Sequence, residues 1–141
     1  GLSFESTPGA GAAGGMGAGC IAFFNAQLKS GIEAVLDTVD FDKRLQGADL
    51  VITGEGRIDT QSLHGKVISG ISRRTNPQNI PLIAIVGGIG PGAEEAYSMG
   101  VTAIFVTDRQ AAPLAEITPL TYDNYRYTLE DVLRLIRAIK D

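Results

Sequence analysis

Ala48-Asp49-Leu50-Val51-Ile52-Thr53-Gly54-Glu55-Gly56-Arg57-Ile58-Asp59 is the stretch on which the fold of this chain turns. Asp49 to Thr53 is a short apolar run closed by Gly54, the pattern of a strand buried on both faces in a parallel sheet. The same pattern returns twice. Pro81 introduces Leu82 to Val86, which ends in Gly87-Gly88, and Ala103 to Val106 ends in Thr107-Asp108. Between the runs lie helical segments: Lys66 to Arg74, broken by Asn76-Pro77, and Ala93 to Met99, stopped by Gly100. Leu129, Val132, Leu133, Ile136 and Ile139 line one face of a terminal helix. Strand and helix in alternation from residue 49 onward predict an α/β fold with three parallel strands. Right-handed crossovers then bring all carboxyl ends to one rim, the place where open α/β sheets bind ligands. Thr53, Gly87 and Thr107 are expected at those ends. Three strands make a thin sheet with uncovered edges, which predicts further segments beside it.

Upstream, the chain has a different character. Residues 9 to 19 hold six glycines, Ile21 to Leu28 reads as a helix ended by Lys29-Ser30-Gly31, and Ile32, Val35, Leu36 and Val39 mark one face of a short helix. Phe41 to Leu45 adds a turn closed by Gly47. No strand is read there, so residues 1–46 are assigned to one structural unit and 47–141 to another. The chain opens without methionine and reaches its glycine segment within ten residues, which predicts a preceding segment.

Composition narrows the function classes. The 141 residues are 44% hydrophobic and 20% charged, with a mean hydropathy of +0.10, a globular balance. The formal net charge is −4 with the basic residues scattered, which argues against nucleic acid as a partner. A lone Cys20 allows neither an intrachain disulfide nor a cysteine zinc site, and reads as a small buried residue. With no membrane-length apolar run and no leader-like start, the expectation is a cytoplasmic protein.

Two segments carry chemistry. Gly9-Ala10-Gly11-Ala12-Ala13-Gly14 matches G-x-G-x-x-G literally, but Pro8 precedes it where a strand belongs and no acidic residue closes a second strand. It reads either as a small-residue packing face through Gly14, Gly15 and Ala18, or as an anion site at a helix start. No G-x-x-x-x-G-K-[ST] is present, which excludes a Walker-type loop. The richer segment runs from Thr53 to Lys66. Glu55, Arg57, Asp59, Ser62, His64 and Lys66 sit there among glycines after a buried strand. Phosphoryl transfer asks for that mixture: cations on the moving phosphate, carboxylates for Mg²⁺ or a hydroxyl proton, and backbone donors for oxyanions. His64, the only histidine, is as ready to be structural as to act as acid or base.

In order and spacing, Pro8 to Gly17, Leu28-Lys29-Ser30-Gly31-Ile32, Gly47 to Asp59 and Gln61-Ser62-Leu63-His64-Gly65-Lys66 together resemble the bacterial-type glycerate kinase family, the likeness running from Pro8 to about Gly90. The resemblance implies ATP-dependent phosphorylation of D-glycerate with Mg²⁺, giving 2-phosphoglycerate. It also implies a two-domain enzyme of which this chain is the C-terminal part. Residues 1–46 would end an inserted α/β domain, and residues 47–141 would form the C-terminal half of a Rossmann-like or flavodoxin-like domain. The glycine segment and the Thr53–Lys66 loop would then face each other across a cleft completed by an absent N-terminal part. A homo-oligomer is compatible with this. The expected catalytic set is Glu55, Arg57, Asp59 and Lys66, with Asp59 also the Mg²⁺ ligand. Gly9, Gly11, Gly14, Gly15, Thr53, Gly54, Gly56, Ser62 and His64 are expected to bind substrate or phosphate. Within that set Glu55 is read as orienting substrate or metal-bound water, and Asp59 as base or metal ligand. Arg109 to Tyr127 carries no assignment. A non-catalytic module holding an anion or nucleotide is the alternative.

Overall fold

A computed structural model describes residues 7–60 and 66–140. Its centre is a three-stranded parallel sheet in the order β1-β2-β3, with β1 at Val51–Ile58, β2 at Leu82–Ile89 and β3 at Ala103–Val106. The α/β class and parallel strands follow the alternation read from the sequence. The strand ends do not. β1 continues four residues past Gly54, pairing Arg57 with Gly88 and Ile58 with Ile89, so Thr53 and Gly87 lie within strands and only Thr107 directly follows one. The glycines that suggested loops instead let the backbones approach. A Cβ on Gly54 would stand 3.1 Å from the Ile85 carbonyl oxygen, and one on Gly87 would stand 2.5 Å from that of Gly56.

Leu82, Ala84 and Val86 turn one way from β2, into a core with Ile58, Ile68, Ile71, Ala93 and Ala96. Ile58, Ile68 and Leu82 are completely buried, each contributing about 1.5–3 kcal/mol of burial free energy. Helix α4 (Val67–Thr75) covers this face, its buried hydroxyls satisfied by carbonyls: Ser69 donates to Lys66 O at 2.9 Å, and Ser72 donates to Met99 O. The crossover to β3 carries only the one-turn helix α5 (Glu95–Ser98), shorter than the segment expected from residue 93, because residues 91–94 form turns. The long helix α7 (Thr121–Lys140) packs against β2, turning in Asn124, Thr128 and Val132. Of its expected apolar stripe Val132 is buried, while Leu133 and Ile139 are exposed. The stretch before α7 is also more regular than read, with α6 at Leu114–Ile117 and a 3-10 turn at Thr118–Leu120.

The N-terminal region is helical, with shifted boundaries. Helix α1 spans Ala12–Phe24 and starts inside the glycine segment, not at Ile21. It is kinked: Ala13, Gly14 and Gly15 take left-handed backbone angles (φ 51°, 70° and 94°) that two glycines make accessible. It ends at Asn25, itself left-handed, so Lys29-Ser30 lies in a connector. Helix α2 (Gly31–Thr38) and helix α3 (Phe41–Leu45) follow. Leu36 is buried in the sheet core and Ile32 packs against it, whereas Val35 and Val39 are exposed. Arg74 of α4 locks this arrangement, donating to Glu33 Oε2 from Nε at 3.2 Å and Nη2 at 2.6 Å, to Asp37 at 2.7 Å, and to Asp42 of α3. Those carboxylates, Glu33 foremost, hold the Arg74 guanidinium protonated well above its ordinary range. No helix among the described residues is long and apolar enough to cross a membrane.

Candidate functional site

Alternation along β1 sends successive residues to opposite faces of the sheet. Thr53 pairs with Ala84 and Glu55 with Val86, which puts both on the α4 face. Thr53 is buried there, more a core residue than an open ligand contact. Glu55 lies further along, where α2 and the start of α4 leave a cavity of about 390 Å³ lined by Gly31, Ile32, Val35, Glu55, Lys66 and Val67. Its Oε2 is buried and has no hydrogen-bond partner among the described residues. A buried carboxylate oxygen without a donor is costly, and it marks a place where a ligand proton or cation would be welcome.

The electrostatics agree. Burial pushes the Glu55 carboxyl above its ordinary value; the Lys66 ammonium pulls it down, and the neighbouring Asp59 charge pushes it up. Lys66 occupies the position before the first turn of α4 and is exposed, free to reach toward an anion in the same cavity. Arg57 and Asp59 form an ion pair at 3.6 Å over Gly90, where a Cβ would come within 2.9 Å of both side chains. Four expected residues, Glu55, Arg57, Asp59 and Lys66, are therefore gathered at the end of β1 and the start of α4. Ser62 and His64 lie outside the described residues.

The glycine segment divides. Gly9 lines a separate cavity of about 870 Å³ with Pro8, Ala12, Gly17, Leu28, Lys29, Ser30 and Gly31. Gly31 borders this cavity and that of Glu55, so the two are neighbours. Gly11, Gly14 and Gly15 do not line it, and a Cβ on any of them would meet open space. The close-packing glycine is Gly17, whose missing Cβ makes room for the Gly9 carbonyl, rather than Gly14 or Gly15.

Gly54 and Gly56 turn to the other face of β1. They floor a cavity of about 730 Å³ together with Ile85 and Gly87, walled by Thr107 and by Thr121, Tyr122 and Tyr125 of α7. Sequence reasoning missed this wall. Three of the chain's four tyrosines fall between residues 122 and 127, in the stretch left without assignment, and that clustering was the available signal. The α2 wall of the Glu55 cavity was missed too, since no local pattern shows which helix will pack beside a strand. Among the described residues, no group of three or more His, Cys, Asp and Glu side chains is placed to hold a metal ion.

Known proteins place this geometry in context. A family model described as "Glycerate kinase family" matches residues 1–137. A Bacillus cereus protein named glycerate kinase is 43% identical over 125 residues, covering 89% of this chain and 33% of its own length. A Bacillus subtilis protein of the same name is 39% identical over 140 residues, covering 99% of this chain and 37% of its own length. A protein named glycerate 2-kinase from Escherichia coli is 42% identical over 123 residues, covering 87% of this chain and 32% of its own length. A crystal structure from Salmonella typhimurium LT2, provisionally described as glycerate kinase 2, superposes with a TM-score of 0.71 at 39% identity, covering 94% of this chain and 33% of that one. The chain thus spans about a third of the length of the relatives it matches.

Proposed function

The chain belongs to the glycerate kinase family, and from that premise we propose that it works as the C-terminal part of an enzyme that phosphorylates D-glycerate with ATP, giving 2-phosphoglycerate. The observation that carries the reading is the Glu55 carboxylate: half-buried, raised in pKa, with one oxygen lacking a partner among the described residues, in a cavity it shares with Lys66. An alcohol is a poor nucleophile until its proton has somewhere to go, and a carboxylate of raised pKa is a better acceptor than an ordinary one. In the proposed step the glycerate hydroxyl oxygen bonds to the γ-phosphorus and its proton passes to Glu55. The bond from that phosphorus to the β,γ-bridging oxygen breaks, its electron pair leaving with ADP. The orphaned oxygen thus gives Glu55 the part of base. Asp59, whose charge acts on Glu55 from close by, is then left the part of cation ligand.

Lys66 and Arg57 would meet the transferred phosphate or the glycerate carboxylate, where fixed cations act on developing charge. The donor set fits Mg²⁺, which takes one or two carboxylates and leaves its other positions to phosphate oxygens. Asp59 would hold it, and when bound it would neutralise charge on the β- and γ-phosphates. We further propose that residues 1–46 close an inserted domain and residues 47–141 form the C-terminal half of a Rossmann-like one, the remainder being supplied by a preceding segment. The exposed apolar residues of α1 and α7, among them Phe23, Phe24 and Ile139, support such a neighbour.

The test is ATP-dependent phosphorylation of D-glycerate by the full-length enzyme. Lys66→Ala should lower kcat/KM by about 10²-fold or more, and Asp59→Asn should shift the Mg²⁺ concentration needed for half-maximal rate. Wild-type kinetics in Lys66→Ala and Arg57→Ala, with an unchanged Mg²⁺ dependence in Asp59→Asn, would overturn the assignment.

A further inference from the structure

The cavity on the α7 face has no part in the chemistry just described, yet it borders Glu55. Its floor and wall have different origins. Gly54 and Gly87 are explained by close strand pairing, since a Cβ on either would crowd a neighbouring carbonyl. Gly56 is not. A Cβ there would meet nothing within 4 Å, and its backbone is outside the left-handed region, so neither packing nor conformation within this chain demands a glycine. A side chain at Gly56 would simply enter the cavity.

Opposite this bare backbone floor stand Tyr122 and Tyr125, 78% and 44% exposed and one turn apart on α7. Both residues line the cavity. The wall is held in place from several points: Val132 is buried beneath α7, Arg109 pairs with Asp131 at 2.9 Å, and Lys140 pairs with Asp49 at 2.8 Å. A cavity bounded by glycine backbone on one side and two tyrosines on the other, with Thr107, Thr118 and Thr121 also lining it, suits a planar heteroaromatic ring with polar edges. A volume of about 730 Å³ admits such a ring with its sugar.

We propose that this cavity takes the base of the nucleoside triphosphate, packed between Gly56 and the Tyr122–Tyr125 wall. The inference rests on the kinase reading above and locates the nucleotide's recognition end for it. The base lies on the α7 face of β1 and the phosphates react on the Lys66 side, so the nucleotide would pass around the edge of β1, an outer strand of the sheet, beside Glu55, which borders both cavities.

The experiment uses the full-length enzyme and 8-azido-ATP as a photoprobe, with mapping of the labelled peptide and kinetics in parallel. Label should appear on the peptide bearing Tyr122 and Tyr125, and should be displaced by ATP but not by D-glycerate. Tyr122→Ala with Tyr125→Ala should raise the KM for ATP about tenfold, as loss of a base–aromatic contact does, while the KM for D-glycerate stays within about twofold; Gly56→Val, which fills the floor, should also raise the KM for ATP. If the wild type phosphorylates D-glycerate but label falls elsewhere and these variants keep the wild-type KM for ATP, the base site is wrong and the kinase reading stands. Should the wild type fail to phosphorylate D-glycerate while the tyrosine peptide is still labelled, the nucleotide site stands and the kinase reading falls. Absence of both reactions overturns both.

Discussion

The side chain of Ile32 on α2 occupies the space where Gly70 of α4 would carry a Cβ. The contact is close enough that any side chain at residue 70 must displace Ile32, and Ile32 is itself a wall of the Glu55 cavity. A helix-interior glycine normally gives way to alanine with a gain of roughly 1 kcal/mol. Here overpacking, worth about 1–3 kcal/mol, opposes and exceeds that gain, because a β-branched neighbour has few rotamers to retreat into. Gly70→Ala should therefore destabilise the protein. The double variant Ile32→Ala/Gly70→Ala should be more stable than the sum of the singles by about 1 kcal/mol, read from a denaturation-based double-mutant cycle. Additive effects would mean that α2 does not sit against Gly70.

Arg74 fastens the same two helices by charge. It faces Glu33 and Asp37 on α2 and Asp42 on α3, with Arg73 adding a contact to Glu33 at 3.1 Å. Arg74→Met removes one cation from among three carboxylates and leaves them to repel one another. The melting temperature should fall by roughly a few degrees in low salt, and the gap to wild type should narrow as salt approaches about 1 M, where screening reaches only about 3 Å. A deficit independent of salt would point to lost packing of the arginine stem instead.

Glu55 should make stability depend on pH in a sense opposite to that of an ordinary paired carboxylate. Burial raises its folded-state pKa above the ordinary 4.5, so the native state holds this proton more tightly than the unfolded chain. The associated stability is fully present below the unfolded pKa and is lost as pH rises through the folded one. At neutral pH the wild type therefore carries an ionised, poorly solvated carboxylate. Glu55→Gln should raise the melting temperature at pH 7, and the difference should vanish below about pH 4.5. The same change should abolish phosphorylation, a trade of stability for function common at active sites. A Gln variant less stable than wild type at pH 7 would mean that Glu55 is stabilised by a partner in the longer protein.

How much of this was legible in the chain alone follows from the range of the forces involved. Apolar runs marked all three strands, and β3 matches its expected bounds residue for residue, but burial on both faces was expected too widely: β2 is buried along most of its length, whereas β1 alternates between buried and exposed residues. Charge density marked Glu55, Arg57, Asp59 and Lys66, because polar groups crowded after a buried strand are visible without coordinates. The resemblance of Pro8 to Gly90 fixed the family for the same reason: motif order is written along the chain. What escaped was every property set by a partner distant in sequence. β1 overran its expected end because β2, thirty-one residues on, offers Gly88 and Ile89 as partners, and a glycine cannot signal whether it ends a strand or admits a close neighbour. The helix through residues 12–24 could not be placed because its left-handed kink runs against glycine's usual role as a stop. Glu55's orphaned oxygen, its raised pKa and its two flanking cavities exist only once α2, α4 and α7 have packed around β1. Electrostatic environment and empty volume are properties of assembled surfaces, and no run of residues carries them by itself.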